Sequence, residues 1–468
     1  MQSVIFKIHA ATRYRRLDTK WSRALAAILV LVSLGCTSHG NPFDPENKKT
    51  RGEPFNLASR PGFGQIILKW NFLPSTLKVE RYDVYRKQSN SPWAKVTSTQ
   101  VDSFPDDSVA SETKYSYQVN AWRGNEGSDS SEVVEAQANW YPKQLNKLGD
   151  YDDFPNPVDL AFCPSHNRRY FVCEDRDFIV VLDQFDQKVA EDAILVGSSP
   201  KAIAHWHNDR TNLDTLLVGN YGSSSLSVIA EESANRFKVI QTFRLEGRPL
   251  SIQISNALQV AFISFEARAW IRKFKLKRAL GDTLAVTGRL RRLFLVGESG
   301  PLLGINRDED KVAIIDVISG AVKYSETVED MPYDLAIVPG SNLAYLACHY
   351  AFGYRNAVRI SVINFATGAR VPEREIVIPA DPGKENHPTS VAIVPGGLDD
   401  GLLFVAVRSI SLGQQAARIF GYHIGPAIKN RIAVQEIPEV IPQLIRRPPN
   451  LAEKKLYVLH TRGLHIDF

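Results

Sequence analysis

Alternating apolar and polar residues recur in one short pattern from residue 157 onward. The clearest copies are Pro157-Val-Asp-Leu-Ala-Phe-Cys-Pro164, Pro332-Tyr-Asp-Leu-Ala-Ile-Val-Pro339 and Pro388-Thr-Ser-Val-Ala-Ile-Val-Pro395, and looser copies begin at Pro200, Pro249 and Pro442. Apolar residues at every second position predict a β-strand. Proline suits the first residue of a strand because its missing N–H removes no bond from the sheet. We call this pattern the proline phrase.

Two further apolar runs follow most proline phrases and predict an antiparallel unit. Residues 170–173 and 343–347 are examples of the second run, and residues 360–363 of the third. Some third runs lead into an Asp or Asn followed four positions later by glycine, as in Asp316 and Gly320, which is typical of a turn. A repeat of roughly 40 to 55 residues with four antiparallel strands is typical of a β-propeller blade.

The spacing of the proline phrases predicts the number of blades. One gap of 83 residues, between Pro249 and Pro332, has room for a further blade whose first strand lies near residues 292–296. We therefore expect seven blades, with six as the alternative. The last blade lacks a strand, and we expect residues 142–150 to supply it, because a closed ring leaves no exposed sheet edge.

The proline phrase and the Asx–Gly turns resemble the YVTN-type family of bacterial surface propellers. The resemblance extends over roughly 325 residues, and we assign residues 139–468 to this domain. It implies the fold and leaves the activity open, since propellers host unrelated functions.

The first 35 residues predict a secretory signal. Lysines and arginines precede the apolar run 24–32, which is too short for a comfortable membrane span, and Ser33-Leu-Gly-Cys36 follows. A cysteine directly after glycine resembles the bacterial lipobox, although that family prefers leucine where this chain has Ser33. The resemblance implies that Cys36 carries a lipid and, because Thr37 follows it, that the protein goes to the outer membrane. Plain secretion is the alternative. Residues 36–53 are then a polar, proline-containing tether.

Residues 54–138 predict a separate all-β unit. Alternating strands at 66–70, 79–85 and 115–121 have the spacing of a β-sandwich. They resemble a fibronectin type III domain, in which Trp70 would be the core tryptophan and Tyr115 the tyrosine of the corner motif. The whole chain is therefore expected to be all-β, with a fibronectin-like sandwich followed by a propeller.

The charge distribution excludes one class of partner. Six of the 56 lysines and arginines and one of the 51 acidic residues lie in the signal, so 50 of each remain. A balanced chain without a basic helix has no nucleic-acid footprint.

No catalytic, phosphate-binding or dinucleotide motif appears, so no catalytic residue and no cofactor are predicted. His205 and His207 are spaced like metal ligands, but they share a face only on a regular strand, and no third ligand is visible. No metal site is therefore predicted. Cys173 and Cys348 each lie 16 residues after the first proline of a phrase, so we expect equivalent buried positions.

Polar and aromatic residues collect in the loops after the second strand of each predicted blade. In propellers these loops share one face near the central channel, and mixed charges around a concave mouth suit a polar ligand or a partner loop. The predicted binding face comprises Glu174, Asp175, Asn220, Tyr221, Glu266, Arg307, Asp308, His349, Tyr350, Tyr354, Arg408, His460 and Arg462. The alternative is that these loop ends are polar only for solvation.

These features favour a non-enzymatic cell-envelope lipoprotein that presents a propeller as a binding platform. The expected partner is an envelope or extracellular protein or a polysaccharide, and the lipid provides the membrane attachment. The alternatives are a propeller enzyme, such as a hydrolase, lactonase or quinone protein, and a scaffold of envelope assembly machinery.

The lipidation hypothesis predicts that Cys36→Ser releases the protein from membranes or leaves the precursor unprocessed, because the acyl acceptor is gone. Membrane fractionation and the size of the processed chain measure this. Cys348→Ser is the control and should fractionate like the wild type. A Cys36→Ser protein that is cleaved normally and stays on the membrane would contradict the hypothesis.

Overall fold

The proline phrases form the first strands of successive sheets in the computed structural model of this chain. The structure describes residues 56–62, 65–71, 78–110, 113–138, 145–189, 193–208, 210–233, 235–276, 279–349, 358–378, 385–397, 400–411, 414–424, 431–449 and 455–467. The predicted signal, Cys36 and the tether lie outside these residues, so the expectations for them stay predictions.

Seven four-stranded antiparallel sheets are present in the part of the chain that the structure describes, and they are the blades of a β-propeller. Blades 1 to 3 comprise β10–β13 (Pro157–Cys163, Arg168–Cys173, Phe178–Leu182, Ile194–Leu195), β14–β17 (Pro200–Asn208, Leu213–Asn220, Ser225–Ser233, Arg236–Arg244) and β18–β21 (Pro249–Ser255, Val260–Phe265, Trp270–Lys275, Ala279–Ala285). Blades 4 to 6 comprise β22–β25 (Leu290–Leu295, Leu302–Asn306, Lys311–Ile315, Val322–Tyr324), β26–β29 (Pro332–Ile337, Leu343–Cys348, Val358–Asn364, Ile376–Ile378) and β30–β33 (Glu385–Gly397, Asp400–Ser411, Gln414–His423, Arg431–Pro438).

Blade 7 combines strands from the two ends of the propeller. It contains β34 (Pro442–Arg446), β35 (Leu456–His460), β36 (Gly463–Asp467) and, as its fourth strand, β9 (Asn146–Gly149). Strand β9 pairs antiparallel with β36, with Leu464 opposite Gly149. This confirms that the segment before blade 1 completes the last blade, and it confirms seven blades rather than six.

The propeller core consists of layers between neighbouring blades. Residues that alternate along a strand enter different layers: Tyr170 and Val172 pack against blade 2, whereas Phe171 packs against blade 7. Similar buried clusters lie between each consecutive pair of blades around the ring. Each sheet therefore buries both of its faces, which explains the long apolar runs in the second and third strands.

A β-bulge lies at the start of the first strand of every blade, which we call the inner strand because it lies nearest the central channel. In blade 1 the register shifts between Pro157 and Asp159, and the side chain of Asp159 accepts a hydrogen bond from the Ile203 backbone N–H of the next blade at 3.0 Å. Ser251 in blade 3 accepts the same bond from Leu293 at 3.1 Å. The third residue of the proline phrase thus links neighbouring blades where it is Asp or Ser.

Cys173 and Cys348 occupy equivalent positions, as expected. Each lies at the end of a second strand opposite the first proline of its blade, Pro157 or Pro332. Both are buried free thiols.

A second compact unit contains, among the described residues, 56–60, 66–71, 78–106 and 113–137. Its described strands are β1 (Ala58–Gly62), β2 (Gln65–Lys69) and β5 (Ser103–Asp106) in one sheet, and β3 (Arg81–Gln88), β4 (Ala94–Thr99), β6 (Lys114–Arg123), β7 (Glu126–Gly127) and β8 (Val134–Gln137) in the other. Buried Trp70 packs against Tyr82 at a ring distance of 5.5 Å. Asp106 accepts hydrogen bonds from Tyr117 and Arg86, both at 2.8 Å.

Helical structure is minor in the described residues, where a short 3-10 helix occurs at Pro372–Arg374. None of the described residues belongs to a helix with the length and apolar character needed to cross a membrane.

The closing pair of strands predicts a large cost for Gly463→Ala. Gly463 has φ +132°, and a Cβ there would lie 2.3 Å from the carbonyl oxygen of Gly149 on the closing strand. We expect the free energy of unfolding to fall by about 3 kcal/mol or more. Gly297→Ala is the control, because Gly297 also has positive φ but its Cβ would meet nothing within 4 Å. It should lose only about 1–2 kcal/mol. Urea denaturation measures the free energy of unfolding of both variants. Equal losses of stability would contradict the inference that Gly463 is needed for the close approach of β36 to β9.

Candidate functional site

The mouth of the central channel is formed by two sets of residues at one end of the inner strands. The first set is the second residue of a blade's first strand, which lies in the β-bulge, such as Lys201 and Tyr333. The second set is the residue directly after the second strand, such as Glu174 and Tyr221. Members of both sets line one cavity of about 580 Å³. The cavity is lined by Val158, Glu174, Lys201, Tyr221, Leu250, Glu266, Arg289, Arg291, Arg292, Arg307, Asp308, Met331, Tyr333 and Gln443.

Most carboxylates of this cavity are already bound to neighbours. Arg289 forms a bidentate pair with Asp308, with nitrogen–oxygen distances of 2.8 and 2.6 Å. This contact holds the pKa of the Asp308 carboxyl below its ordinary value. Glu266 accepts a hydrogen bond from the Tyr221 hydroxyl at 2.5 Å. Lys201 lies 3.2 Å from Glu174 and also stacks over the Tyr221 ring at 4.4 Å.

Two arginines at the mouth make no ion pair with any described residue. The guanidinium groups of Arg291 and Arg307 lie over the ring of Tyr333, at 3.7 and 5.5 Å from its centroid. Burial, together with the nearby charges of Arg292 and Arg307, lowers the pKa of Arg291 to about 10, against the opposing effect of Tyr333 and Asp334. The Nε of Arg291 is buried and has no hydrogen-bond partner among the described residues. At this part of the mouth, two guanidinium groups therefore lie against one tyrosine ring with no described carboxylate at ion-pair distance.

A buried ion cluster lies just inside the channel, around Asp334. This side chain is 0% exposed and receives a bidentate pair from Arg446 at 2.8 and 2.9 Å. Arg292 lies at 3.5 Å, and Ser390 and the Val391 backbone N–H also donate to it. Burial alone would raise the pKa of Asp334, but the two arginines outweigh burial and hold it below its ordinary value.

The structure brings part of the predicted binding face together. Glu174, Tyr221, Glu266, Arg307 and Asp308 line the cavity. His349 is adjacent to it, stacked on Tyr333 at 5.8 Å and on His387 at 4.4 Å. Burial lowers the pKa of His349 to about 4, helped by the positive charges of His387, Arg307 and Arg408.

Other members of that face lie elsewhere. Asn220 and His460 are 0% and 2% exposed and do not line the mouth, which corrects their assignment. Both are strand residues opposite the first proline, so the alternation of the strand turns their side chains into the blade interior. Arg462 is exposed and pairs with Glu439 at 3.1 Å, and Asp175 accepts a bond from the Tyr151 hydroxyl at 2.8 Å.

Three members of the predicted binding face remain, Arg408, Tyr350 and Tyr354. Arg408 is half-buried on β31 and donates to Gln415 at 3.0 Å. Tyr350 and Tyr354 lie outside the described residues. The sequence did not point to Arg291, Tyr333 or Asp334, although Tyr333 and Asp334 hold the second and third positions of a proline phrase.

A second polar cluster lies at the opposite end of the inner strands, between blades 1 and 2. The strand carrying His205 and His207 keeps a regular register there, so both imidazoles lie on one face and contact the carboxylate of Asp214 at 2.9 Å. Cys163 and His166 from blade 1 contact the same carboxylate at 3.4 and 3.1 Å. The sequence showed the two histidines but not that Cys163 of blade 1 and Asp214 of the next strand lie beside them.

Comparison with known proteins supports the fold of this chain and gives no information on its function. No family model matches the chain, and no curated protein matches it either. Among solved structures, it is similar to Kuenenia stuttgartiensis hydrazine synthase, with a TM-score of 0.50, 14% identity and coverage of 65% of this chain and 93% of that chain. It is also similar to the Myceliophteria thermophila Cps50 (Swd1) β-propeller domain, with a TM-score of 0.52, 10% identity and coverage of 69% and 99%. At such identities the likeness establishes a β-propeller and nothing more.

The buried cluster predicts a pH-dependent cost for Asp334→Asn. The variant removes the carboxylate that pairs with Arg446 and lies 3.5 Å from Arg292, so we expect the free energy of unfolding at pH 7 to fall by about 3–5 kcal/mol. The lowered pKa of Asp334 means that its stabilisation is present above the ordinary carboxyl pKa and is lost as the pH falls through the folded-state value. The difference between the proteins should therefore shrink below about pH 4.

Urea denaturation between pH 7 and pH 3 measures this difference. Asp282→Asn is the control, because Asp282 is an exposed carboxylate on β21, and it should change stability by less than about 0.5 kcal/mol. Equal stabilities of Asp334→Asn and the wild type at pH 7 would contradict the assignment.

Proposed function

We propose that this chain is a non-enzymatic cell-envelope lipoprotein that uses the channel mouth of its propeller to bind an anionic segment of a partner protein. The observation that carries the proposal is the pair Arg291 and Arg307, stacked on Tyr333 without a carboxylate partner among the described residues. A guanidinium group binds carboxylate or phosphate through two parallel hydrogen bonds, and the partly buried mouth strengthens such contacts.

The shape and composition of the mouth also favour binding. The cavity has the size of a small-ligand or side-chain pocket, and its wall contains Tyr221 and Tyr333 beside the charged groups. Tyrosine and arginine are the residues that most often dominate binding energy at interfaces. Because several blades contribute to the wall, only the closed ring assembles it.

The placement in the cell envelope rests on the sequence. The basic and apolar signal with its lipobox-like end supports a lipid on Cys36, and Thr37 supports the outer membrane. The two-sheet unit before the propeller, with Trp70 in its core, supports a fibronectin-like module between lipid and propeller.

The enzyme alternative fits the channel less well. A propeller hydrolase or lactonase would need several carboxylate, amide or imidazole ligands around one channel metal. In this channel Asp334 is already bound by Arg446 and approached by Arg292, and cations beside a carboxylate oppose a further cation. A scaffold lipoprotein of an envelope assembly is compatible with the same mouth and differs in the identity of the partner.

A labelled oligoglutamate peptide tests the mouth directly. We expect the full chain in detergent to bind it, with an affinity that falls as salt is raised, as measured by fluorescence anisotropy. Arg307→Gln should weaken binding about tenfold or more, since a hydrogen bond to a charged group contributes about 1.5–3 kcal/mol. Arg291→Gln should act in the same direction.

Lys238→Gln is the matched control, because Lys238 is an exposed cation on the outer strand of blade 2. It should bind like the wild type. No binding by the wild type, or equal loss in the control, would contradict the proposal. Crosslinking in membranes then identifies the partner, and capture of an anionic polysaccharide instead of a protein would revise its class.

A further inference from the structure

The cluster around Asp214 contains more hydrogen-bonding groups than one carboxylate can satisfy. Cys163, His205 and His207 converge on its Oδ1 atom, at 3.4, 2.9 and 2.9 Å. His166, Arg168 and Tyr170 converge on Oδ2, at 3.1, 3.1 and 2.5 Å. A carboxylate offers about four lone-pair sites, so six groups exceed its capacity. Imidazole nitrogens and a thiol at this density are better explained as ligands of a cation.

The distances fit a small tetrahedral ion. The Sγ of Cys163, one ring nitrogen each of His205 and His207 and one oxygen of Asp214 all lie within 4.8 Å of one another. In a tetrahedral zinc site, bonds of about 2.0–2.3 Å place neighbouring ligand atoms roughly 3.3–3.8 Å apart. The four groups therefore need to move by at most about an ångström to surround an ion.

We propose that Cys163, His205, His207 and Asp214 form a transition-metal site of the zinc class. One thiolate, two imidazoles and one carboxylate form a ligand set that favours zinc over calcium or magnesium, which take oxygen ligands. The thiolate and the carboxylate balance the two positive charges of the ion. Nearby Arg168 is balanced by Glu231 at 2.9 Å, so the filled site is electrically neutral.

The surroundings resemble the outer shell of a structural metal site. The His166 backbone N–H donates a hydrogen bond to the Cys163 sulfur at 3.4 Å. Tyr170 and Arg168 hold the second oxygen of Asp214 and orient the carboxylate. The side chains of His205 and His207 are 7% and 12% exposed, so the site is nearly closed. With four protein ligands, the ion links blade 1 to blade 2 and leaves no open position for substrate.

Metal loading of the purified full chain tests the site. The chain is reduced, treated with a chelator and freed of the chelator, and it is then equilibrated with micromolar Zn²⁺ and desalted. Elemental mass spectrometry measures the zinc that stays bound. We expect one zinc ion per chain and a higher melting temperature with zinc than without it. With Co²⁺ we expect the absorption of a tetrahedral ion together with a sulfur-to-cobalt charge-transfer band.

Variants assign the ligands. Cys163→Ser should remove the charge-transfer band, and His207→Gln should weaken zinc binding about a hundredfold or more, since even outer-shell changes cost ten- to a hundredfold. Cys173→Ser, an equally buried cysteine of the same blade, is the control and should bind like the wild type. In a chain with serine at positions 36, 173 and 348, Cys163 is the only cysteine left of four, and the charge-transfer band should persist.

The chain with serine at positions 36, 173 and 348 tests the proposal even if Cys163→Ser does not fold, because it keeps the proposed ligand Cys163. A wild-type chain that takes up no zinc, or a chain with Cys163 alone that lacks the charge-transfer band, would overturn the proposal. The cluster would then be a hydrogen-bonded brace between the two blades.

Discussion

Burial of both faces of every sheet is the constraint on which this propeller depends. Each blade supplies alternate residues to two apolar layers, so no blade can be covered until both of its neighbours are in place. The layer between blades 7 and 1, with Phe171, Tyr457 and Leu464, exists only when the ring closes. Closure by β9 therefore stabilises every blade and not only the seventh, because an open ring would leave an apolar face and a strand edge in water.

The same arrangement gives the inner strands two polar ends with different properties. At the mouth, the second residue of the first strand lines the cavity in six blades, and these residues are Val158, Lys201, Leu250, Arg291, Tyr333 and Gln443. Just inside, the third residue of the phrase either bonds the next blade, as Asp159 does, or joins the buried ion cluster, as Arg292 does. Asp334 does both, so the floor of the mouth is held by the contacts that hold the blades together.

The opposite end of the inner strands shows how a junction between blades can concentrate chemistry. His205 and His207 come from one strand and Cys163 from the neighbouring blade, and Asp214 lies opposite His207 in the sheet register. The mouth and this cluster share no residue, so a ligand at one and a metal at the other are separate properties of the fold. Both depend on the packing of adjacent blades, which fixes side chains that are distant in the sequence.

The sequence by itself determined the repeat, the closing strand and the equivalence of Cys173 and Cys348, and it favoured seven blades over six, because apolar periodicity and proline position are local signals that recur along the chain. It also located five of the fourteen residues that line the mouth, among them Glu174 and Tyr221. Only the tertiary structure decided that Asn220 and His460 turn inward, since one residue of register reverses the side of a strand. Only the structure joined Arg291 and Arg307 on Tyr333, and Cys163 with Asp214, because contacts between blades depend on the closed ring and leave no pattern in a single stretch of sequence.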